Sequence, residues 1–595
     1  MWPGMRVSIT DTPRSSGIYG LFRLDGAPVD ASDAQILGLP QIVEPKSWQT
    51  AGHDAHFSDA VCWHSSPSGM TLLVGEVEDA EVLCATLGLR NDAPPAVLAE
   101  AALARFGSDL PSTLIGEWSL LHRTPNGRLT LMLSAAKRDR LHYAIRGNRV
   151  AVAPDLFALA QLGWVDNTID EAGLLFPVGR PRVRSARGDT TMLKNIFQLE
   201  AGASVVIETD GSVKKHLAQI CVEQPRWHGN YADAVAESEA LLRRIMRAKL
   251  ARNAKVTPML SGGLDSSLLT WLCAEERRPE SDLLALTSVA PKGSGIADES
   301  AFADLVAQTL GIQSRHIFPA YDANIYRPPY SILSGGSGPI LSNRHCLTNA
   351  FQITAKEMGA TLIVDGTFGE LSITARLPNQ NPKQKIRSIL RSLLRSTLGF
   401  SLPKYKETPF HVRLAPHLLA NLPSQIQETI AAPPVDYTIL NRSGLLSYMR
   451  GAEKALSQTN EFYPGAVRMT YPYRDIRLLR LFAGFPTPML VKGGADRGIG
   501  RAMMESNLPD AIRLRQRGMP ASPDHLPRLQ RQADAARQRI PRFRKAEVDD
   551  WIDLDWLDRT LESVAARGPA NVYEANEVQL TAIAAEFLLW WRLQS

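Results

Sequence analysis

The sequence predicts an α/β and α+β protein in which a mixed sheet-and-helix domain precedes a doubly wound parallel-sheet domain with a helical carboxy-terminal part. Short strand patterns separated by turn residues fill the first part of the chain, at 70–77, 112–122, 129–134, 142–144, 150–153 and 204–208. In the second part, buried strand patterns alternate with helices, which is typical of a parallel sheet. These strands are predicted at 256–260, 283–289, 316–318 and 361–364. Because 595 residues are too many for one core, we expect domains at 1–217 and 218–595.

The helices between these strands are predicted from their patterns and their ends. Segments 95–105 and 154–161 have helical character in the first domain, and segment 268–276 has it in the second. The helix at 300–310 follows Asp298 and Glu299, whose charges suit a helix amino terminus, and it ends at Gly311.

Composition indicates an ordinary globular protein, with 44% hydrophobic and 21% charged residues. A formal net charge of +5 is too small to predict nucleic-acid binding. No segment reaches the roughly 18 apolar residues of a membrane helix, so we expect a cytoplasmic protein with no membrane span. The five cysteines contain no C-x-x-C pair, which argues against both a disulfide framework and a zinc site.

Basic and apolar residues alternate at helical spacing in the stretch 383–406. Two interpretations stay open for it. It is either a solvated surface helix or a docking face for a peptide or a partner protein.

The most informative stretch is a serine- and glycine-rich turn between the strand at 256–260 and a helix. Its two glycines let backbone N–H groups approach a ligand, and the helix amino terminus favours an anion such as phosphate. A carboxylate beside phosphate requires a cation between them, and magnesium is the usual one. A surface turn without function is the plain alternative. The turn consists of Ser261, Gly262, Gly263, Leu264, Asp265, Ser266 and Ser267.

This turn resembles the pyrophosphate loop of the ATP-pyrophosphatase family, which includes asparagine synthetases, β-lactam synthetases and lasso-peptide cyclases. The resemblance implies that ATP is split between its α and β phosphates to adenylate a carboxylate. It also implies that Thr287, Ser288 and Val289, at the end of the second strand, lie against the adenine.

A second loop, from Asp365 to Glu370, resembles the family motif S-G-x-G-[AGS]-D-E. The resemblance implies that Gly366 helps to bind the nucleotide and that Asp265 and Glu370 share Mg²⁺. Leu371 stands where relatives have a second acid. The alternative is that Glu370 is only an acid at a helix amino terminus.

Two arginines near the carboxy terminus match a spaced basic motif of the family. Arg497 to Arg501 and then Arg515 and Arg517 follow K-x-x-L-R and R-x-K. The resemblance implies that Arg501 and Arg517 are catalytic. Because Arg517 replaces a lysine, it suits charge stabilisation better than proton removal. The alternative is that these arginines are surface residues.

The first 217 residues resemble the glutaminase domain of asparagine synthetases, on motifs such as Gly116-Glu117-Trp118 and Arg138-Asp139-Arg140. A glutaminase of that type uses the cysteine after the initiator methionine as its nucleophile. Here that position is Trp2, so we expect a class II amidotransferase-like domain without glutaminase activity.

Three functions compete. The favoured one is a lasso-peptide cyclase, which adenylates an Asp or Glu side chain of a precursor core peptide and joins it to that peptide's amine. It needs no ammonia, and the resemblance implies a leader peptidase and a leader-recognition protein as partners. The alternatives are an asparagine or β-lactam synthetase and an inactive nucleotide-binding scaffold.

Overall fold

The computed structural model describes 13 stretches of the chain, and every structural statement below concerns them alone. Trp2, Arg138, Arg517 and the basic stretch 383–406 lie outside these residues. The described stretches are 17–39, 47–53, 61–136, 140–180, 183–184, 186–218, 225–318, 323–329, 344–375, 409–432, 467–490, 497–516 and 522–594.

Two antiparallel sheets form the amino-terminal part. One has the strand order β2-β1-β8-β7-β9 and the other β11-β10-β6-β5-β4-β3. Their strands are β1 Gly17–Arg23, β2 Trp48–His53, β3 Val61–Ser66, β4 Gly69–Val77, β5 Gly116–Arg123, β6 Leu129–Leu133, β7 His142–Arg146, β8 Arg149–Ala153, β9 Ile196–Gln198, β10 Ala203–Ile207 and β11 Val213–Leu217. The accompanying helices are α1 Ala31–Ile36, α2 Ala80–Leu87, α3 Pro95–Phe106, α4 Leu110–Thr113, α5 Leu156–Ala160 and α6 Glu171–Val178.

The two sheets pack face to face through apolar side chains, because successive residues of a strand point to opposite faces. Leu72 and Val74 of β4 share a core with Phe22 of β1 and Val150 of β8. Leu73 points the other way and packs under α3.

One predicted strand begins later than expected. The pattern at 112–122 predicted a strand from Ser112, but β5 starts at Gly116. Pro111 occupies the first turn of α4, and Ser112 donates its hydroxyl to the carbonyl of Asp109 across 2.8 Å. These contacts keep residues 110–113 helical.

A five-stranded parallel sheet with the order β14-β13-β12-β15-β16 forms the centre of the carboxy-terminal part and confirms the predicted fold class. Its strands are β12 Lys255–Pro258, β13 Asp282–Ser288, β14 Gln313–Ile317, β15 Leu362–Val364 and β16 Arg468–Thr470. Its helices are α7 Tyr231–Leu250, α8 Leu264–Glu276, α9 Ser300–Leu310, α10 His345–Glu357, α11 Pro416–Ala420, α12 Ser424–Ala431, α13 Ile476–Gly484, α14 Gly498–Met503 and α15 Asp510–Arg513.

The order of this sheet reverses beside β12. Successive strands β13 and β14 lie on one side of β12, whereas β15 and β16 lie on the other. A reversal of this kind opens a crevice at the carboxyl ends of the two central strands, and ligands of open α/β sheets bind there.

Four further helices complete the described chain and pack partly against the amino-terminal part. They are α16 His525–Arg537, α17 Ile540–Lys545, α18 Leu554–Arg567 and α19 Val572–Gln594. Trp590 of α19 meets Phe157 of α5 edge-on, with ring centroids 5.4 Å apart. None of the helices described here has the length and apolarity that crossing a membrane requires.

Candidate nucleotide site at the carboxyl ends of β12 and β15

The serine- and glycine-rich turn connects β12 to α8 at the crevice of the parallel sheet. Gly262 has φ +69°, and a Cβ there would lie 2.6 Å from Cβ of Phe302 and 2.8 Å from the nitrogen of Ala303. Only glycine therefore fits at this position. The helix begins at Leu264 rather than at the predicted 268, so Asp265 lies in its first turn.

Serine hydroxyls hold the turn in shape. Ser266 Oγ accepts from the N–H of Ser261 across 3.1 Å and lies 2.9 Å from Ser261 Oγ. Ser267 is different because its Oγ is buried without a hydrogen-bond partner among the described residues. The first N–H groups of α8 have no intrahelical acceptor, so this end of the helix is suited to an anion.

Asp265 is held by three groups from distant parts of the chain. Thr374 donates its hydroxyl to Oδ1 of Asp265, and Nη1 of Arg497 lies 3.9 Å from Oδ2. Tyr473 donates its hydroxyl to the backbone carbonyl of Asp265 across 2.9 Å. The carboxylate is therefore fixed at the mouth of the crevice while 28% of its side chain stays exposed.

The loop that follows β15 packs directly on the turn. Asp365 accepts from the N–H of Thr367 across 2.8 Å, which closes the start of the loop. A Cβ on Gly366 would lie 3.0 Å from the nitrogen of Ser266, and a Cβ on Gly369 would collide with the carboxylate of Asp265. The exposed Glu370 follows Gly369 in a short 3-10 helix, so the two predicted acids belong to adjoining segments.

Magnesium fits these donors. The described residues contain no group of three or more His, Cys, Asp or Glu side chains that could hold a metal ion. Magnesium does not require such a group, since it binds through one or two carboxylates together with substrate phosphates. Asp265 and Glu370 are the residues that would hold it, and the ion would supply positive charge beside the phosphates.

The end of β13 borders the same crevice. Thr287 Oγ1 and Ser288 Oγ are buried without hydrogen-bond partners among the described residues. Val289 is buried, and its N–H donates to the carbonyl of Ile317 across 3.0 Å. Buried hydroxyls without partners are costly unless a ligand completes them, so this strand end fits a nucleotide.

Arg501 supports the turn indirectly, through the backbone of the segment that holds Arg515. Its guanidinium is buried and donates to the backbone carbonyls of Arg513 and Arg515, the latter across 3.0 Å. Arg515 then donates to the carbonyl of Gly262 across 3.2 Å and pairs with Glu299. The catalytic roles of Arg501 and Arg517 stay predictions.

Four residues of this site did not follow from the sequence as site residues: Thr374, Tyr473, Arg497 and Arg515. Thr374 and Tyr473 lie 109 and 208 positions from Asp265, and Arg515 lies 253 positions from Gly262. The only local signal is that Arg497 and Arg515 belong to the spaced basic motif.

The family model described as asparagine synthase matches residues 237–366 and 466–592, which is less than half of the chain. These segments contain the whole turn from Ser261 to Ser267, the end of β13 and both Arg501 and Arg517. The match supports an asparagine-synthetase-like protein with an ATP-dependent, amide-forming synthetase-like function, and enzymes of that family use ATP. No curated protein matches the chain.

Solved structures match at low identity. Glutamine phosphoribosylpyrophosphate amidotransferase from B. subtilis is 12% identical over 63% of this chain and 78% of its own, with a TM-score of 0.23. The U34-tRNA thiolase NcsA from Methanococcus maripaludis is 13% identical over 47% and 76%, with a TM-score of 0.20. A structure described as the allosteric regulatory enzyme of purine biosynthesis is 13% identical over 64% and 73%, with a TM-score of 0.23. These likenesses are too distant to carry an argument about function.

Proposed function

We propose that the protein is an ATP-dependent lasso-peptide cyclase. It adenylates an Asp or Glu side-chain carboxylate of a precursor core peptide and joins it to that peptide's own amino terminus, releasing AMP and pyrophosphate. The observation that carries the nucleotide chemistry is the contact between the turn holding Asp265 and the loop holding Glu370, beside the buried hydroxyls of Ser267 and Ser288.

In the first step the peptide carboxylate attacks the α-phosphorus of ATP. The bond between the α-phosphorus and the bridging oxygen breaks, and pyrophosphate leaves. The N–H groups at the start of α8 stabilise the charge that gathers on pyrophosphate. Arg515 holds this turn in place through the carbonyl of Gly262, and it stacks on Phe302 with its guanidinium carbon 4.0 Å from the ring centroid.

In the second step the peptide's α-amine attacks the acyl carbon. The bond from that carbon to AMP breaks, and the amine loses one proton. Holding both ends of one peptide in the crevice lowers the barrier because a bimolecular reaction becomes intramolecular. Arg501 and Arg517 are the proposed sources of positive charge for this step, but an arginine cannot readily remove the amine's proton.

The source of the amine distinguishes a cyclase from a glutamine-dependent synthetase. A class II glutaminase requires a cysteine at a free amino terminus. The first cysteines of this sequence are Cys62, within β3, and Cys84, fully buried within α2. Neither suits that role, and the proposed reaction takes its amine from the substrate itself.

The partners of the proposed reaction are the precursor peptide, a leader peptidase and a leader-recognition protein. The basic stretch 383–406, outside the described residues, is a candidate contact for the peptide. ATP and Mg²⁺ complete the reaction mixture.

The test is to incubate the purified protein with ATP, Mg²⁺ and a core peptide carrying Asp or Glu at about the eighth position, and to weigh the products. We expect the peptide to lose one water while AMP forms. If free aspartate and ammonia release pyrophosphate instead, the protein is an asparagine synthetase. If no substrate promotes ATP cleavage, the scaffold interpretation replaces the enzyme.

A further inference from the structure

The amino-terminal part meets the parallel-sheet part through a buried cluster of charges. The acidic side comes from the end of β4 and from β5, and the basic side from α7, β16 and α13. The cluster consists of Glu76, Glu78, Asp79 and Glu117 facing Lys249, Arg468 and Arg477.

The carboxylates of this cluster require the cations to balance their charge. Glu76 and Glu117 stand directly opposite each other on the antiparallel strands β4 and β5, where like charges repel. Arg468 neutralises both, with Nη1 at 3.0 Å from Glu76 and Nη2 at 3.2 Å from Glu117. Arg468 of β16 therefore balances the pair of carboxylates, and Lys249 of α7 is a second cation beside Glu117.

Lys249 also stays charged in this cluster. Burial lowers its pKa, but the carboxylates of Glu117 and Glu78 outweigh that effect and leave the pKa above its usual value. Its Nζ lies 2.9 Å from Glu117 and 3.2 Å from Glu78, with 4% of the side chain exposed. Removing one of these carboxylates would leave Lys249 with a single partner in this buried cluster.

A short chain of hydrogen bonds connects Glu117 to the nucleotide site. Thr470, at the end of β16, donates its hydroxyl to Oε1 of Glu117 across 3.1 Å. The carbonyl of Thr470 accepts from the N–H of Asp365 across 3.1 Å, and Asp365 opens the loop that carries Gly366 and Glu370. Tyr473, three residues after Thr470, donates its hydroxyl to the backbone carbonyl of Asp265.

We infer that Glu117 is a positioning residue for the nucleotide site. It fixes the end of β16, and through Thr470 and Tyr473 it sets the loop after β15 against the turn at Asp265. The amino-terminal part then serves the synthetase as the support for its ATP site, independently of any glutaminase chemistry. This inference rests on the ATP site of the proposed function, but not on which carboxylate is activated.

The experiment measures two quantities on each variant: the Kd of a fluorescent ATP analogue with Mg²⁺, and the thermal unfolding midpoint. Glu117→Leu, which has no acceptor for the Thr470 hydroxyl, should weaken ATP binding about tenfold, the loss expected for one positioning hydrogen bond. Thr470→Val, which removes only the hydroxyl, should weaken it in the same direction. Glu208→Leu changes a carboxylate that directly follows β10 of the same sheet and pairs with Lys214 at the surface, and it should leave the Kd within about twofold.

A double variant separates positioning from stability. Glu117→Leu with Lys249→Met removes both partners of the buried pair, and such replacements often restore stability. We expect the unfolding midpoint to return toward the wild-type value while ATP binding stays weak, because Thr470 still lacks its acceptor.

If ATP affinity returns together with stability, or if Glu117→Leu binds ATP normally, the positioning role is wrong. A wild-type protein that binds ATP but forms no amide contradicts the proposed function and leaves this inference standing. A wild-type protein that binds no ATP overturns both.

Discussion

Tyr473 donates its hydroxyl to the backbone carbonyl of Asp265 across 2.9 Å and so connects the segment after β16 to the first turn of α8. Burial raises the pKa of this phenol, and the nearby carboxylate of Asp265 raises it further, so the hydroxyl stays protonated as a donor. The turn that bears the predicted metal ligand is therefore supported from outside its own sequence.

Tyr473→Phe removes this hydroxyl and leaves a buried carbonyl without its donor. We expect the free energy of unfolding to fall by about 1–2 kcal/mol, and ATP binding to weaken. Tyr573→Phe alters a largely exposed phenol and is the control. Unchanged ATP affinity in Tyr473→Phe would mean that the contact does not shape the site.

Gly262→Ala should abolish nucleotide binding, because its φ of +69° and the nearby Phe302 leave no room for a side chain. Gly293→Ala is a matched control, since Gly293 has φ +76° but nothing within 4 Å of the place that a Cβ would occupy. Backbone strain at a left-handed position lowers the free energy of unfolding of both variants by about 1 kcal/mol. The difference in ATP affinity between the two variants therefore reports on the tight fit of the turn. Equilibrium ATP binding decides the comparison, and equal affinities would contradict the tight fit.

Asp265→Ala should abolish AMP formation, because the variant lacks one predicted magnesium ligand. The protein should stay folded, because the Asp265 side chain is partly exposed at the mouth of the crevice. Adding a chelator to the wild-type protein should also abolish AMP formation. Asp282→Asn, at the opposite end of β13, is exposed and should leave the rate unchanged. Retained AMP formation in Asp265→Ala would refute the metal assignment.

The burial of His142 predicts that the amino-terminal part loses stability as the pH falls. Burial, together with the charges of Arg140 and Arg187, lowers its pKa to about 3. Because an unfolded histidine titrates near pH 6.5, the unfolded state binds more protons as the pH falls below that value, and stability drops between about pH 6.5 and pH 3.

Between pH 7 and pH 5 this histidine should cost about 2 kcal/mol of the free energy of unfolding. His142→Gln should remove that part of the pH dependence, as measured from urea unfolding midpoints at the two pH values. His216→Gln, in the exposed edge strand β11, should keep the full dependence. The same loss in both variants would contradict the assignment.

The sequence predicted the parts of the site that are coded locally. The strand, the turn from Ser261 to Ser267 and the helix at 300–310 have patterns that short-range chemistry determines, and the structure places that helix at Ser300–Leu310. The start of α8 was predicted four residues late, since Gly263 caps it without a side chain.

The contacts that complete the site depend on the order of strands in the parallel sheet. Lys249 stands in the last turn of α7, where a lysine ordinarily suits the helix dipole at the surface. The packing of α7 against the amino-terminal part buries it between Glu78 and Glu117, which lie 171 and 132 positions away. No periodicity within one segment carries that information.

The proposed function requires that a peptide side-chain carboxylate attacks the α-phosphorus of ATP. The most direct measurement uses a core peptide whose acceptor Asp or Glu carboxylate is labelled with oxygen-18, incubated with the protein, ATP and Mg²⁺. We expect a dehydrated peptide and AMP that carries one labelled oxygen in its phosphate. Unlabelled AMP, or ADP and phosphate in its place, would contradict it.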